Sequence, residues 1–340
     1  MEQAQLLSYS SKKGNSIGML CLLYVSTVGM LLGIVGLMVE RMLPTTSARR
    51  WLWSAIIPIS VGLPGYYGQH HTWSVLQALD QRVPPSSMTH ASLGALDPAW
   101  WEHIRSLNPI INRYWLLASG ILLIWGLANA MRVSYLVALS RQGARDRRNP
   151  PIVDGVPVVV TNQLGPATVG LLRSLVLVPR WVLALPERQR QYVLRHEDEH
   201  RRAHDAALLF VASLPIVLMP WNPALWWQVR RLCLAVELDC DNRVVKALGD
   251  APAYGELLLK VAQAGSRGPR LQPAFLGGMG SLERRLTALV APTPLRHAQK
   301  VVLPAVAMTL LLLVLWMPHP VLGSMSHDRA AMTAATPLQP

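Results

Sequence analysis

Four long apolar runs alternate with polar segments along this chain. Residues 17–39 and 114–131 carry no charged side chain, and residues 301–317 are uncharged as well. Residues 51–68 are also uncharged but contain Pro58 and Pro64. Because a bilayer core is crossed by about 20 apolar helical residues, the pattern predicts about four membrane-spanning helices, the second of them kinked.

The polar segments between these runs predict the remaining organisation. We expect an N-terminal membrane part over residues 1–131 with an outer loop at 69–113, and a large folded portion at 132–300. The fourth span is followed by a short disordered tail, residues 318–340. The first run is longer than a signal-peptide core and lacks a cleavage site before residue 40, so we expect it to be retained.

The large polar portion contains both sheet and helix patterns. Two Val-rich or Leu-rich runs, residues 156–161 and 175–179, predict a small sheet. Its edge could hold an extended peptide, or the two runs could form a purely structural hairpin. A helical pattern starts after Pro186 and continues without Pro or Gly to residue 214, and a second pattern covers residues 230–249.

An apolar stretch at residues 206–227 continues the first of these helical patterns. Its apolar run is only about 14 residues long and is broken by Pro215, which is short for a span, so we predict a re-entrant or interfacial hairpin. The tryptophans at 221, 226 and 227 then predict an aromatic belt at the membrane surface.

Composition and charge support a membrane protein and indicate its orientation. The chain is 51% hydrophobic and only 15% charged, with a net charge of +13. Of its 32 Lys and Arg residues, 23 lie between 132 and 300. The positive-inside rule therefore predicts that this portion faces the cytoplasm, while the loop 69–113, the tail and the N-terminus lie outside. Since no nucleic-acid-binding motif accompanies the arginines, we expect no direct binding of nucleic acid.

The first helical pattern carries the sequence H-E-x-x-H as His196, Glu197 and His200. Two histidines four residues apart project from one helix face and can bind the same tetrahedral zinc ion. Glu197 follows the first ligand and would act as the base that deprotonates the attacking water. The motif therefore predicts one Zn²⁺ per chain and hydrolytic chemistry.

A catalytic zinc normally has three protein ligands. His204 is two turns from His196 on a continuous helix, about 12 Å away, and cannot reach the same ion. Glu237 on the second helical pattern is the better candidate, although it could instead be a solvated acid paired with Arg231 or Arg243.

Three further residues near Glu237 receive expected roles. Asp241 lies one turn after Glu237 and could orient a ligand imidazole through its second nitrogen. Cys240 is expected to be a small buried thiol, and Tyr254 is our candidate for the donor that stabilises the oxyanion.

The motifs together resemble the BlaR/MecR family of membrane metallopeptidases. The resemblance rests on His196-Glu197-x-x-His200, Asp205, the Trp-Asn-Pro turn at 221–223 and Glu237-x-x-x-Asp241, and it covers about residues 17–317. It implies a mainly α membrane protein with a gluzincin-like α+β zinc peptidase domain in the cytoplasm of a bacterium. It also implies zinc ligands at His196, His200 and Glu237, with Asp241 and Asp205 supporting them.

The resemblance further implies a signalling function in the inner membrane. An outside signal would activate the protease, which would cleave a cytoplasmic repressor and in some cases itself. Only about 23 residues follow the fourth span, so we expect no penicillin-binding sensor domain there, and a partner membrane protein could supply the sensor. The alternatives are a housekeeping protease resembling the HtpX and CAAX types, and a catalytically inactive membrane scaffold.

Overall fold

The structure is a computed structural model that describes residues 19–70, 98–142, 151–161, 165–171, 174–265, 279–290 and 297–317. These residues are mostly helical and include one small sheet. The helices are α1 Met19–Met42, α2 Thr46–His70, α3 Pro98–Gln142, α4 Arg180–Leu183, α5 Glu187–Arg202, α6 Asp205–Leu218, α7 Pro223–Leu248, α8 Ala251–Gly265, α9 Met279–Val290 and α10 His297–Trp316. The strands are β1 Ile152–Val153, β2 Val156–Thr161, β3 Ala167–Val169 and β4 Leu175–Pro179.

Three helices in the described part of the chain are long and apolar enough to cross a membrane. They contain the segments Leu22–Met42, Pro109–Leu139 and Gln299–Trp316. The predicted second span does fold as helix α2, with Pro58 and Pro64 inside it, but it is not among these three. The prediction of four spans therefore stays a prediction.

Helix α3 differs from the sequence-based boundaries at both ends. It begins at Pro98, within the predicted outer loop, and continues to Gln142, beyond the predicted end of the third span. Proline suits the first turn of a helix, and the residues that follow include few helix breakers, so polarity alone was a poor reason to expect a loop. Residues 71–97 of that loop and the tail 318–340 lie outside the described residues.

The two predicted strands are confirmed as β2 and β4, but they do not form a hairpin. They pair in parallel, with Val158 beside Val176, so the structural-hairpin alternative is wrong. Strand β3 pairs antiparallel with β4, and the strand order is β1-β2-β4-β3. This order leaves β3 at the edge of the sheet, where it packs against α5, the helix of the H-E-x-x-H motif.

One apolar core joins the N-terminal helices to the helices around the motif. Val28 of α1 and Trp53 and Ile57 of α2 pack with Leu225 and Val229 of α7, all of them buried. A second core lies between the sheet and the motif helix. It includes Val158, Val176, Tyr192, Leu194 and Val244. Helix α7 contributes to both cores and thereby fixes the motif helix relative to α1 and α2.

The apolar hairpin of α6 and α7 inserts deeply among these helices. At its turn Asn222 is fully buried, and its side-chain oxygen accepts a hydrogen bond from the backbone N–H of Ala224 at 3.0 Å. This tip packs against Gly29 of α1, which is about 20 Å along the helix from Met42 at about 1.5 Å per residue. Trp227 packs against Trp53 with ring centroids 5.8 Å apart, so it belongs to the core and not to a surface belt.

The close approach of α1 to α7 depends on a glycine. A Cβ at Gly33 would lie only 2.2 Å from a ring carbon of Trp227, whereas a Cβ at Gly62 of α2 would meet nothing within 4 Å. We expect Gly33→Ala to destabilise the protein by about 1–3 kcal/mol through overpacking, and Gly62→Ala to be neutral or stabilising. Thermal unfolding in detergent micelles measures both, and equal melting temperatures for the two variants would contradict this packing.

Candidate active site

The motif helix α5 ends earlier than the sequence predicts. Ala203 is its C-cap residue, and His204 adopts a left-handed conformation with φ of 53°. Helix α6 then begins at Asp205. The prediction of one continuous helix to residue 214 is therefore wrong. The break is stabilised by Arg50 of α2, whose guanidinium donates to the Ala203 carbonyl oxygen at 2.8 Å, a distant partner that no local pattern could indicate.

The two motif histidines converge as the spacing predicts. Their Nε2 atoms are 3.2 Å apart, and their rings are nearly perpendicular at 89°. Two nitrogens that bind one tetrahedral zinc at about 2.0–2.1 Å are separated by about 3.3–3.4 Å. The pair therefore has the geometry needed to hold one ion through both Nε2 atoms.

Glu237 brings a carboxylate to the same point. Its Oε2 is 3.6 Å from His196 Nε2 and its Oε1 is 3.7 Å from His200 Nε2. The alternative of a solvated acid paired with Arg231 or Arg243 does not hold, because the partner of Glu237 is Arg285, with Nη1 2.9 Å from Oε2. Two imidazole nitrogens and one carboxylate oxygen are a donor set that suits a catalytic zinc.

Arg285 is a site residue that the sequence did not reveal. In the sequence it is one of the 23 basic residues between 132 and 300 that predict a cytoplasmic orientation, yet its side chain is only 15% exposed. It donates to both carboxylate oxygens of Asp241 at 2.7 Å. Burial raises the pKa of Glu237, but the guanidinium of Arg285 is the strongest of the influences that lower that pKa well below its usual range, so the carboxylate is ionised.

The Nδ1 atoms of the two histidines, which point away from the shared Nε2 position, each lie within hydrogen-bonding distance of a partner. His200 Nδ1 lies 2.7 Å from Asp205 Oδ2. His196 Nδ1 lies 2.9 Å from the Tyr254 hydroxyl, which donates its proton to Asp241 Oδ1 at 2.7 Å. In the tautomers in which each Nδ1 donates its N–H to these partners, both Nε2 atoms keep a free lone pair for a metal.

This arrangement changes what was expected of Tyr254 and Asp241. The Tyr254 side chain is buried behind His196 and its hydroxyl is already engaged, so its placement does not suit an oxyanion donor. Burial raises the pKa of Tyr254 and the Asp241 carboxylate raises it further, which keeps the hydroxyl protonated. Asp241 reaches His196 mainly through Tyr254, since its own Oδ1 is 3.5 Å from Nδ1.

Cys240 lies closer to the histidines than the sequence argument expected. Its Sγ is 3.3 Å from His196 Nδ1 and 3.3 Å from the His196 carbonyl oxygen. In the described part of the chain, His196, His200 and Cys240 are the group whose ligand atoms all lie within 4.8 Å of one another. Cys240 lies three residues after Glu237, nearly one helical turn. This spacing indicates in the sequence that both residues share a helix face.

Glu197 contacts the edge strand β3. Its side chain is buried, and its Oε2 is 3.2 Å from the hydroxyl of Thr168. That hydroxyl also donates to the backbone carbonyl oxygen of Glu197 at 2.6 Å. Thr168 thus links the candidate base to the strand against which an extended peptide could align.

Comparison with known families decides the class of protein. The family model described as BlaR1 peptidase M56 matches residues 106–289, more than half of the chain. The chain belongs to this family. Among curated proteins it is similar to the Regulatory protein BlaR1 of Bacillus licheniformis, with 26% identity over 129 residues. That match covers 37% of this chain and 22% of the relative, so the chain spans about a fifth of the length of that protein.

Membership of the M56 family confirms the resemblance inferred from the motifs. The family is one of metallopeptidases, so it implies a metal ion, and the imidazole and carboxylate donors described above fit one. The apolar helices agree with a membrane setting.

Proposed function

We propose that this chain is an integral membrane zinc endopeptidase of the signalling type in the inner membrane of a bacterium. It would cleave a cytoplasmic protein, a transcriptional repressor, in response to a signal received outside. The observation that carries the proposal is the convergence of His196 Nε2, His200 Nε2 and the Glu237 carboxylate at one point.

In this proposal His196, His200 and Glu237 hold the zinc. When bound, zinc supplies a Lewis acid that acidifies water and polarises the scissile carbonyl. Glu197 takes a proton from the attacking water and delivers it to the departing amine nitrogen. Asp205 orients His200, and the chain of Arg285, Asp241 and Tyr254 orients His196.

The edge strand β3 supports a peptide substrate bound in extended form. It pairs with β4 on one side only among the described strands, and its Thr168 contacts Glu197. A peptide added along that edge would place its backbone beside the proposed base, with main-chain hydrogen bonds providing affinity.

A cytoplasmic orientation is supported by the position of Arg50. Near the turn between α1 and α2 its guanidinium contacts Ala203 and Asp205, so that turn and the metal ligands lie at the same end of these helices. Arg41, Arg49 and Arg50 flank this turn. Under the positive-inside rule this end faces the cytoplasm.

The test is to compare the N-termini generated in the source bacterium by the wild-type chain and by Glu197→Gln. Labelling of new N-termini followed by mass spectrometry should find one or very few Glu197-dependent cuts, in a DNA-binding cytoplasmic protein, within an extended segment. Cuts in many damaged membrane proteins would favour the housekeeping alternative. Identical N-termini in both strains across growth conditions would favour the inactive scaffold, and cuts within stable helices would contradict binding along β3.

A further inference from the structure

Arg50 is a buried charge whose ion-pair and hydrogen-bond partners for the guanidinium, within the described residues, lie far away in the sequence, while the guanidinium also lies over the neighbouring Trp51 ring, 5.4 Å from its centroid. It sits in the second turn of α2, with its side chain 7% exposed. Its Nη2 is 2.7 Å from Asp205 Oδ1 and donates to the Ala203 carbonyl oxygen at 2.8 Å. Both contacts fall in the break between α5 and α6, immediately after His200.

Asp205 has a separate partner for each carboxylate oxygen. Oδ1 faces Arg50 and Oδ2 is 2.7 Å from His200 Nδ1. Since the side chain of Asp205 is only 3% exposed, water contributes little to its orientation. Two guanidinium groups flank this carboxylate, Arg50 at 2.7 Å from Oδ1 and Arg243 at 3.9 Å from Oδ2. Because Arg50 is the nearer of the two, the direction of the carboxylate, and with it the ring plane of His200, depends mainly on Arg50.

The surrounding charges fix Arg50 in this position. Asp239 Oδ2 of α7 lies 3.9 Å from Arg50 Nη1, and Asp239 Oδ1 accepts a hydrogen bond from Thr46 of α2 at 2.9 Å. Asn242 donates to the same Thr46 hydroxyl at 3.1 Å. The start of α2 is thereby tied to α7, the helix that carries Glu237, as well as to Asp205.

We infer that Arg50 is a positioning residue through which helix α2 sets the orientation of His200 for metal binding. The inference rests on the proposed zinc site, because it assigns a residue that acts on one of its ligands. Arg50 pairs with Asp205, Asp205 accepts the Nδ1–H of His200, and Nε2 is thereby aimed at the ion. A displacement of α2 relative to α5 would loosen this contact, so helix α2 and the metal site are mechanically connected.

The experiment measures zinc affinity of the full chain in detergent micelles by competition with a chromophoric chelator. Arg50→Lys keeps the charge but lacks the planar guanidinium whose Nη2 reaches both Asp205 and Ala203. We therefore expect the Kd for zinc to rise by about 10-fold, as for partners of ligating histidines. Arg49→Lys is the matched control, since among the described residues the Arg49 guanidinium donates to the Leu43 carbonyl oxygen, just before α2, and not to Asp205. Its Kd should equal that of the wild type.

A double-variant comparison separates positioning from general stability. Asp205→Asn should weaken zinc binding by about 10- to 100-fold, and adding Arg50→Lys to it should cause little further loss, because both act through one contact. The rise in melting temperature caused by zinc should shrink in Arg50→Lys. A purely structural role would instead lower the melting temperature equally with and without zinc.

Each outcome is decisive. An unchanged Kd in folded Arg50→Lys, or losses that multiply in the double variant, would overturn the inference while leaving the zinc site intact. Failure of Arg50→Lys to fold when Arg49→Lys and Asp205→Asn do fold would also overturn it, since Arg50 would then serve folding itself. Absence of zinc binding by the wild type would instead reject the proposed zinc site.

Discussion

Glu197→Gln is expected to lower the rate of peptide cleavage by about 10²–10⁴-fold, the usual contribution of a general base. The amide has nearly the same shape as the carboxylate and can still contact the Thr168 hydroxyl, but it cannot accept a proton. Since Glu197 is not among the donors that converge with His196 Nε2, the variant should keep its metal and its fold.

The measurement is the initial rate of cleavage of the substrate identified by N-terminal labelling, together with zinc per chain by elemental analysis. The control is Glu187→Gln in the first turn of the same helix, where the carboxylate is exposed and only accepts a hydrogen bond from Gln191. It should cleave at the wild-type rate. Cleavage by Glu197→Gln at that same rate would reject Glu197 as the base.

Glu237→Ala is expected to remove most of the bound zinc, whereas Cys240→Ser should retain it. The carboxylate of Glu237 lies on the Nε2 side of both histidines, at 3.6 and 3.7 Å. The sulfur of Cys240 lies 3.3 Å from Nδ1 of His196, the nitrogen that also meets the Tyr254 hydroxyl. Loss of a residue that hydrogen-bonds to a ligand typically weakens metal affinity by about 10- to 100-fold. Loss of Glu237, a direct ligand, should weaken zinc affinity by more than that.

Elemental analysis and chelator competition on both purified variants test this ligand assignment. Retained zinc in Glu237→Ala together with lost zinc in Cys240→Ser would establish a site of two histidines and one cysteine instead. Melting curves recorded without zinc provide the control for folding, because Glu237 also balances the charge of Arg285. Without zinc, a variant that is folded but has lost only the zinc site should have the wild-type melting temperature. It should show no rise in melting temperature when zinc is added.

Much of the site could be predicted because it follows from spacing along single helices. His196 and His200 converge because residues four apart share a helix face, and the position of Glu237 relative to Asp241 follows from the same rule. The apolar runs and the strands β2 and β4 were visible because their hydrophobic periodicity is local.

The tertiary structure alone decided how these elements meet. The parallel pairing of β2 with β4, the end of α5 at Ala203 and the core shared by α1, α2 and α7 depend on contacts between distant segments. Arg50 reaches Ala203 across 153 residues, and Arg285 reaches Asp241 across 44. A charged residue looks alike in sequence whether it anchors a membrane helix or is buried beside a metal ligand, because burial and partners are properties of packing. The sequence by itself therefore determined the ligand motif and the apolar segments, and the packing of the helices decided which charges orient the ligands.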